Sequence, residues 1–101
     1  MATFYQDNAT ASLTANATGT APVCARRGGY VATSVSGTFT GTISLQRSPD
    51  NNNWFTIKTY TTPTEDNVIE GFAGMWYRLQ CTAYTSGTAV CSVYYSGVMG
   101  R

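Results

Sequence analysis

An alternating run in the middle of the chain constrains the fold more than any other feature. From Phe39 to Leu45, apolar or small residues at every second position alternate with Thr and Ser. This period of two is typical of a β-strand with one buried face. Turn-forming residues fill positions 48–53, and a second β-rich run occupies 54–60. The two runs together predict a β-hairpin, and the hairpin predicts a β protein.

Short β-rich segments separated by Gly, Pro and Asn continue the pattern, and no stretch shows a helical period. Residues 1–29 are predicted to be an irregular N-terminal arm and loop, in which 9–20 forms either an edge strand or an extended arm. Residues 30–101 are predicted to form the core of a single domain. We therefore expect an all-β fold: one immunoglobulin-like antiparallel β-sandwich of about seven strands. The further predicted strands are 30–36, 68–72, 76–84 and 88–95. The predicted core consists of Val31, Val35, Phe39, Ile43, Leu45, Phe55, Ile57, Val68, Tyr77, Leu79 and Val93.

Charge is sparse and nearly balanced. Of the 101 residues 11% are charged, and the formal net charge is +1. The six basic residues are scattered except for Arg26 and Arg27, so the chain lacks the basic run that neutralises phosphates, and nucleic acid is not an expected partner. Thr, Ser, Asn and Gly take over the solubilising role of charge. Neutral polar faces of this kind suit surfaces that a partner will cover, because charge is costly to desolvate.

The first residues lack the basic and then apolar order of a signal peptide, and no apolar run reaches the length of a membrane span. We therefore expect a soluble protein made in the cytosol, with no membrane partner. The chain has three cysteines and no histidine, which makes a zinc site improbable, and we predict no metal and no cofactor. Cys81 and Cys91 are expected to be either buried free thiols or a cross-strand disulfide.

No group of residues has the pattern of a catalytic site. The five acidic residues form no paired motif, and Ser, Thr and Cys nucleophiles lack the histidine that usually activates them. The chain is therefore predicted not to be an enzyme. Residues 48–54 resemble an Asp-box turn, with Asn where that pattern has Gly and with Trp54 one position early. The turn is interpreted either as purely structural or as a calcium or sugar site around Asp50.

Aromatic residues make up the last group of interest. Trp76 is predicted to face away from the core, because its neighbour Tyr77 faces inward. Tyr94 and Tyr95 cannot both point inward from one strand. An outward aromatic side chain can be covered by a neighbouring sheet or loop, form part of a protein interface, or serve as a platform for sugar.

The sequence also resembles small virion-associated proteins of tailed bacteriophages. The resemblance spans roughly residues 36–90. It rests on Gly-Thr-Phe-Thr-Gly-Thr-Ile-Ser-Leu-Gln-Arg-Ser-Pro-Asp at 37–50, Trp54, Lys-Thr-Tyr-Thr at 58–61, Met-Trp-Tyr-Arg-Leu at 75–79 and Tyr-Thr-Ser-Gly-Thr at 84–88. It implies a capsid cement or head-decoration protein, located in the virion on the capsid surface, with the major capsid protein and copies of itself, often as a homotrimer, as partners. It implies no catalytic residues.

The function predicted from the sequence is therefore that of a structural virion protein that binds the outside of an assembled phage capsid and stabilises it. The alternative is a carbohydrate-binding β-sandwich module on a phage head or tail that serves in host adhesion. Its partners would be surface glycans. A tail or connector component is a third option. The residues predicted to form the interface are Phe4, Tyr5, Leu13, Arg26, Arg27, Trp76 and Tyr95.

Overall fold

The computed structural model describes residues 6–96, which form eight strands connected by turns and loops. The strands are β1 (Gln6–Leu13), β2 (Val23–Ala25), β3 (Gly29–Ser36), β4 (Phe39–Ser48), β5 (Phe55–Tyr60), β6 (Thr64–Glu70), β7 (Met75–Gly87) and β8 (Ala89–Ser96). Within this part of the chain there is no helix long and apolar enough to cross a membrane.

The strands form two antiparallel sheets of four. Sheet A has the order β1-β8-β3-β6, and sheet B has the order β2-β7-β4-β5. The first four strands pair with the last four in reverse order, so β1 pairs with β8, β2 with β7, β3 with β6 and β4 with β5. This is the arrangement of one long hairpin rolled into two layers, which defines an eight-stranded jelly roll.

The all-β antiparallel sandwich predicted from the sequence is confirmed. Its strand order, however, is that of a jelly roll and not the seven-stranded order of an immunoglobulin domain. The difference arises in the N-terminal segment, because residues 6–29 supply two strands of the sandwich and do not form an arm. Of the two alternatives stated for 9–20, the edge strand is the one present, as the part of β1 that includes residues 9–13. β1 is in register with β8 throughout its length, and Leu13 at its end is buried in the core.

The link between β1 and β2 also belongs to sheet B. The Ala17 amide donates to the Cys81 carbonyl at 2.9 Å, and the Cys81 amide donates to the Thr18 carbonyl at 2.7 Å. β2 itself pairs with the beginning of β7. The residues of the link are small and mostly polar, and they show no hydrophobic alternation. Their sequence therefore did not indicate that backbone hydrogen bonds would hold the link against β7.

The core lies between the two sheets and contains most of the residues predicted for it. Phe39 and Val68 are only half-buried but pack against it. The predictions for Phe55 and Ile57 are wrong, because these side chains are 62% and 43% exposed. β5 is an edge strand, and its register with β4 shifts next to Leu45, so the inward position of β5 falls on Tyr60. The predicted core residues that are fully buried are Val31, Val35, Ile43, Leu45, Tyr77, Leu79 and Val93.

Candidate interaction surfaces

The outer face of sheet A carries a cluster of exposed apolar side chains. Tyr30 and Ile69 are direct cross-strand partners on β3 and β6, and they are 47% and 68% exposed. Tyr94 on β8 is 45% exposed and lies opposite Ala32, which places it diagonally next to Tyr30 on the same face. We call Tyr30, Ile69 and Tyr94 the sheet A patch. It exists because the alternate residues of these strands, such as Val31 and Tyr95, point into the core.

The surroundings of the sheet A patch are mostly neutral. Ala32 and Asn67 are the next cross-strand pair after Tyr30 and Ile69 on the same face. Further along the same face, the hydroxyls of Thr10 and Ser92 are hydrogen-bonded at 3.0 Å, and Ser34 donates to the carboxylate of Glu65. An apolar centre with a neutral polar rim is the composition that protein interfaces favour, since few charges must be desolvated when a partner covers it.

The residues predicted from the sequence to form an interface do not come together as one surface. Arg26 and Arg27 lie on an exposed loop, and Trp76 is half-buried on the outer face of sheet B, opposite in direction to the core residue Tyr77 as predicted. Leu13 and Tyr95 belong to the core, so the prediction that they form a surface needs correction. Phe4 and Tyr5 lie outside the described residues.

Tyr95 has a structural role that explains its burial. Its hydroxyl accepts a hydrogen bond from the Arg27 amide at 2.9 Å and donates one to the Gly28 carbonyl at 2.8 Å. The side chain therefore anchors the loop that carries the two arginines. The sequence correctly predicted that only one residue of the Tyr94–Tyr95 pair can point inward. It assigned the wrong one to the surface, because Tyr95 shares its face with the buried Val93.

The outer face of sheet B carries an ordered group of polar and aromatic side chains. The guanidinium of Arg78 lies 4.2 Å from the centroid of the Trp54 ring, a cation–π contact. The Arg78 Nε donates to the Gln46 side-chain oxygen at 2.8 Å, and the Gln46 amide donates to the Thr56 hydroxyl at 3.4 Å. Partial burial lowers the pKa of Arg78. These contacts fix Trp54 in place and cover one face of its ring.

The Asp-box-like turn is held by its own backbone. The Asp50 Oδ1 accepts hydrogen bonds from the Asn52 and Asn53 amides at 2.9 and 2.8 Å, and Oδ2 accepts one from the Asn53 side chain at 2.7 Å. The Asn53 and Asn52 amides, followed by the Asn53 side chain, lower the pKa of Asp50 to about 2. Asn51 takes the left-handed conformation, with φ 59°, that asparagine tolerates well. These contacts account for the turn on structural grounds.

A buried ion pair joins the two sheets where β4 faces the end of β6. The Arg47 Nε and the second guanidinium nitrogen donate to the two oxygens of Glu70 at 2.7 and 2.8 Å. The Tyr77 hydroxyl and the Phe72 amide donate to the same carboxylate at 2.5 and 3.0 Å. Burial, followed by the hydrogen bond to Glu70, raises the pKa of Tyr77 to about 12. The sequence did not indicate this cluster, because only the fold brings its members together.

A second, more exposed ionic cluster lies farther along β5 and β6. The Lys58 ammonium donates to the Asp66 carboxylate at 2.9 Å, and the Tyr60 hydroxyl donates to the same oxygen at 3.0 Å. The hydrogen bond from Lys58 is the main reason that the pKa of Asp66 is lowered, whereas burial raises the pKa of Tyr60. Both clusters therefore close the gap between sheet A and sheet B along one side of the sandwich.

Cys81 and Cys91 occur as free thiols, the first of the two alternatives considered for this pair. Cys81 and Cys91 are buried in the core, and burial, together with the nearby Cys81, raises the pKa of the Cys91 thiol to about 11. Among residues 6–96, no group of three or more His, Cys, Asp or Glu side chains is arranged to hold a metal ion.

Comparisons with known proteins add little to this description. No family model matches the sequence, and no curated protein matches it. Among solved structures, the chain is similar to a protein from work on Bacillus endospore appendages, described as a novel family of disulfide-linked pili. The two share 19% sequence identity over 93% of this chain and 88% of the other, with a TM-score of 0.46. A similarity this low carries no argument about function. The class of the protein is therefore defined by its strand order alone, which is that of a jelly-roll β-sandwich.

Proposed function

We propose that this chain is a structural virion protein that binds the outside of an assembled phage capsid and stabilises it. The sheet A patch is the observation on which the proposal depends. Tyr30, Ile69 and Tyr94 present a contiguous apolar surface on the outer face of sheet A, and aromatic side chains of this kind are common anchors of protein interfaces. The capsid as the receiving surface is supported by the resemblance of residues 36–90 to phage virion proteins.

Stabilisation in this proposal arises by mass action. A protein that binds the assembled shell but not its separate subunits shifts the equilibrium toward the shell, and many copies add their contributions. The mostly neutral surroundings of the patch keep the cost of desolvation low. Partners in the proposal are the major capsid protein and copies of this chain, with a homotrimer as the expected state. The location is the virion surface, after synthesis in the host cytoplasm.

The test uses capsids that lack this protein. Purified protein is added, and the temperature of DNA release is followed together with the amount of protein bound. The wild-type chain is expected to bind and to raise the release temperature. Ile69→Lys, next to Tyr30 in the patch, is expected to weaken binding at least about tenfold, because it places a charge in an apolar interface.

Ile57→Lys is the matched control, since Ile57 is also an exposed isoleucine on an edge strand but belongs to sheet B. This variant is expected to bind like the wild type. Absence of wild-type binding would overturn the capsid proposal, and equal weakening by both variants would exclude the sheet A patch as the contact.

Carbohydrate binding on a phage head or tail is the second candidate, and the outer face of sheet B favours it. The partly exposed Trp54 ring lies there against Arg78, which donates to Gln46, and an aromatic ring next to polar side chains is a feature of sugar platforms. Retention on a glycan array, lost in Trp54→Ala and kept in Ile69→Lys, would support this candidate over the first. Electron microscopy of labelled particles would distinguish a capsid location from a tail or connector location.

A further inference from the structure

The two sheets have four edge strands, and three of them carry features that discourage pairing with another chain. β2 is three residues long and follows Pro22. β5 has a register shift opposite β4, and its Lys58 is bound to Asp66. β6 contains Asp66 and Glu70, which point into the sandwich as charged residues. Short length, bulges and inward charges are the means by which natural sheets block edge-to-edge association.

The fourth edge strand, β1, has none of these features over residues 8–13. This stretch contains no charged residue and no proline, and its register with β8 runs without a shift. In the part of the chain that the structure describes, no strand pairs with the other side of β1. The backbone groups on that side therefore form a regular, unprotected template for another strand.

The sequence of β1 is complementary to itself in antiparallel pairing. Residues 8–12 read Asn-Ala-Thr-Ala-Ser, which has the same pattern of polar and small residues in both directions. In a two-fold pairing centred on Thr10, Ala9 lies opposite the partner's Ala11, and Asn8 lies opposite the partner's Ser12. Alanine meets alanine, polar residues meet polar residues, and no equal charges face each other.

A second observation comes from the inner side of β1. Ala9 and Ala11 pack against the core but are only half-buried, so the sandwich is incompletely covered at this edge. A strand added about 4.8 Å away would place its own alanines against them and continue the apolar layer. On β5 and β6, by contrast, the gap between the sheets is already closed by the two ionic clusters.

We infer that β1 is a homotypic assembly edge, at which two copies of this chain pair β1 to β1 antiparallel and join their A sheets into one sheet of eight strands. The contact is isologous, so its product is a two-fold dimer and not the homotrimer that the virion resemblance implies. The inference goes beyond the proposed function, because for the contact between copies of the chain it replaces the homotrimer with a dimer. It depends on the edge alone and can be tested without capsids, so its failure is distinguishable from failure of capsid binding.

The experiment is sedimentation equilibrium of the full chain from micromolar to millimolar concentration. Wild-type protein is expected to form a dimer, and the amides of residues 8–13 are expected to exchange hydrogen more slowly as the dimer fills. The variant Asn8→Lys/Ser12→Lys is expected to raise the dimer dissociation constant at least about tenfold, because each strand then sets like charges opposite one another. Asn8→Glu/Ser12→Glu is expected to do the same, and mixing the two variants should restore a dimer.

The control variant, Thr59→Lys/Asn67→Lys, adds the same two charges to exposed positions of β5 and β6 and is expected to leave the dimer unchanged. Circular dichroism of each variant checks that it remains folded. A wild-type chain that stays monomeric, forms a trimer, or forms a dimer that both double-lysine variants affect equally would overturn the inference. Failure of the mixed variants to associate would overturn it as well.

Discussion

Removal of the Arg47 guanidinium tests whether the buried ion pair holds the two sheets together. In Arg47→Met the Glu70 carboxylate loses two of its charge-assisted hydrogen bonds and its opposite charge, while its side chain remains only 2% exposed. Breaking a buried pair at one partner costs about 3–5 kcal/mol, and the 32% exposure of Arg47 favours the lower end. We expect a loss of about 3 kcal/mol, or about 15 °C in Tm for a chain of this size.

The pH dependence of this loss provides a sharper test. Burial disfavours the charge of Glu70, but Arg47, the Tyr77 hydroxyl and the Phe72 amide outweigh it, so the pKa lies below its ordinary value of 4.5. The stabilisation from Glu70 is therefore present above pH 4.5 and lost as the pH falls through the lowered pKa. In Arg47→Met the effect of burial dominates and raises the pKa of Glu70. Acid therefore protonates Glu70 in the variant and removes the cost of a buried, unpaired charge. The difference between the two proteins should be largest at neutral pH and shrink in acid.

Urea denaturation between neutral and acid pH measures both effects. Lys58→Met serves as the control, because its pair with Asp66 has a similar length of 2.9 Å but is far more exposed. That variant is expected to lose less than about 1 kcal/mol. If Arg47→Met loses no more than Lys58→Met, or if its loss does not change with pH, then the pair does not act as described.

Three further predictions concern other parts of the fold. Tyr95→Phe is expected to lower the free energy of unfolding by about 1–3 kcal/mol in urea denaturation, since two backbone groups of the arginine loop lose their buried partner; an unchanged value would contradict the anchoring role. Asp50→Asn is expected to lower Tm at neutral pH. The difference in Tm from the wild type should close as the pH falls from 3.8 to about 2, because the wild-type carboxylate becomes protonated. A difference in Tm that stays constant over this pH range would contradict the prediction. Cys81 and Cys91 are expected to resist a thiol reagent in native protein and to react after unfolding, and rapid labelling of both in the native state would contradict their burial.

The sequence predicted the two-layered β-sandwich better than it predicted which residues of the edge strands are buried. Alternation correctly marked the central strands, because Ile43, Leu45 and Leu79 lie where both sheets cover them. It failed at Ile57, since a register shift in an edge strand breaks the period of two without any signal in composition. It left a strand and an arm undecided for β1, because the half-buried Ala9 and Ala11 alternate with small polar residues and show little contrast in hydrophobicity with them.

The candidate surfaces were less predictable, because they depend on pairing between distant strands. The outward direction of Trp76 followed from its neighbour Tyr77, and it was predicted correctly. The sheet A patch did not follow, since Tyr30 and Ile69 become neighbours only through the register of β3 with β6. A residue's face can be inferred from local alternation, whereas its neighbours across the sheet require the topology.

The position of β8 has a consequence for how the protein is made. Residues 89–96 supply the strand that separates β1 from β3, so the middle of sheet A is synthesised after the other seven strands. Until that strand emerges, β1 has no partner within sheet A, and β3 can pair only with β6. Completion of this layer must therefore wait until translation has passed residue 96, and nascent chains remain open to mispairing with one another until then.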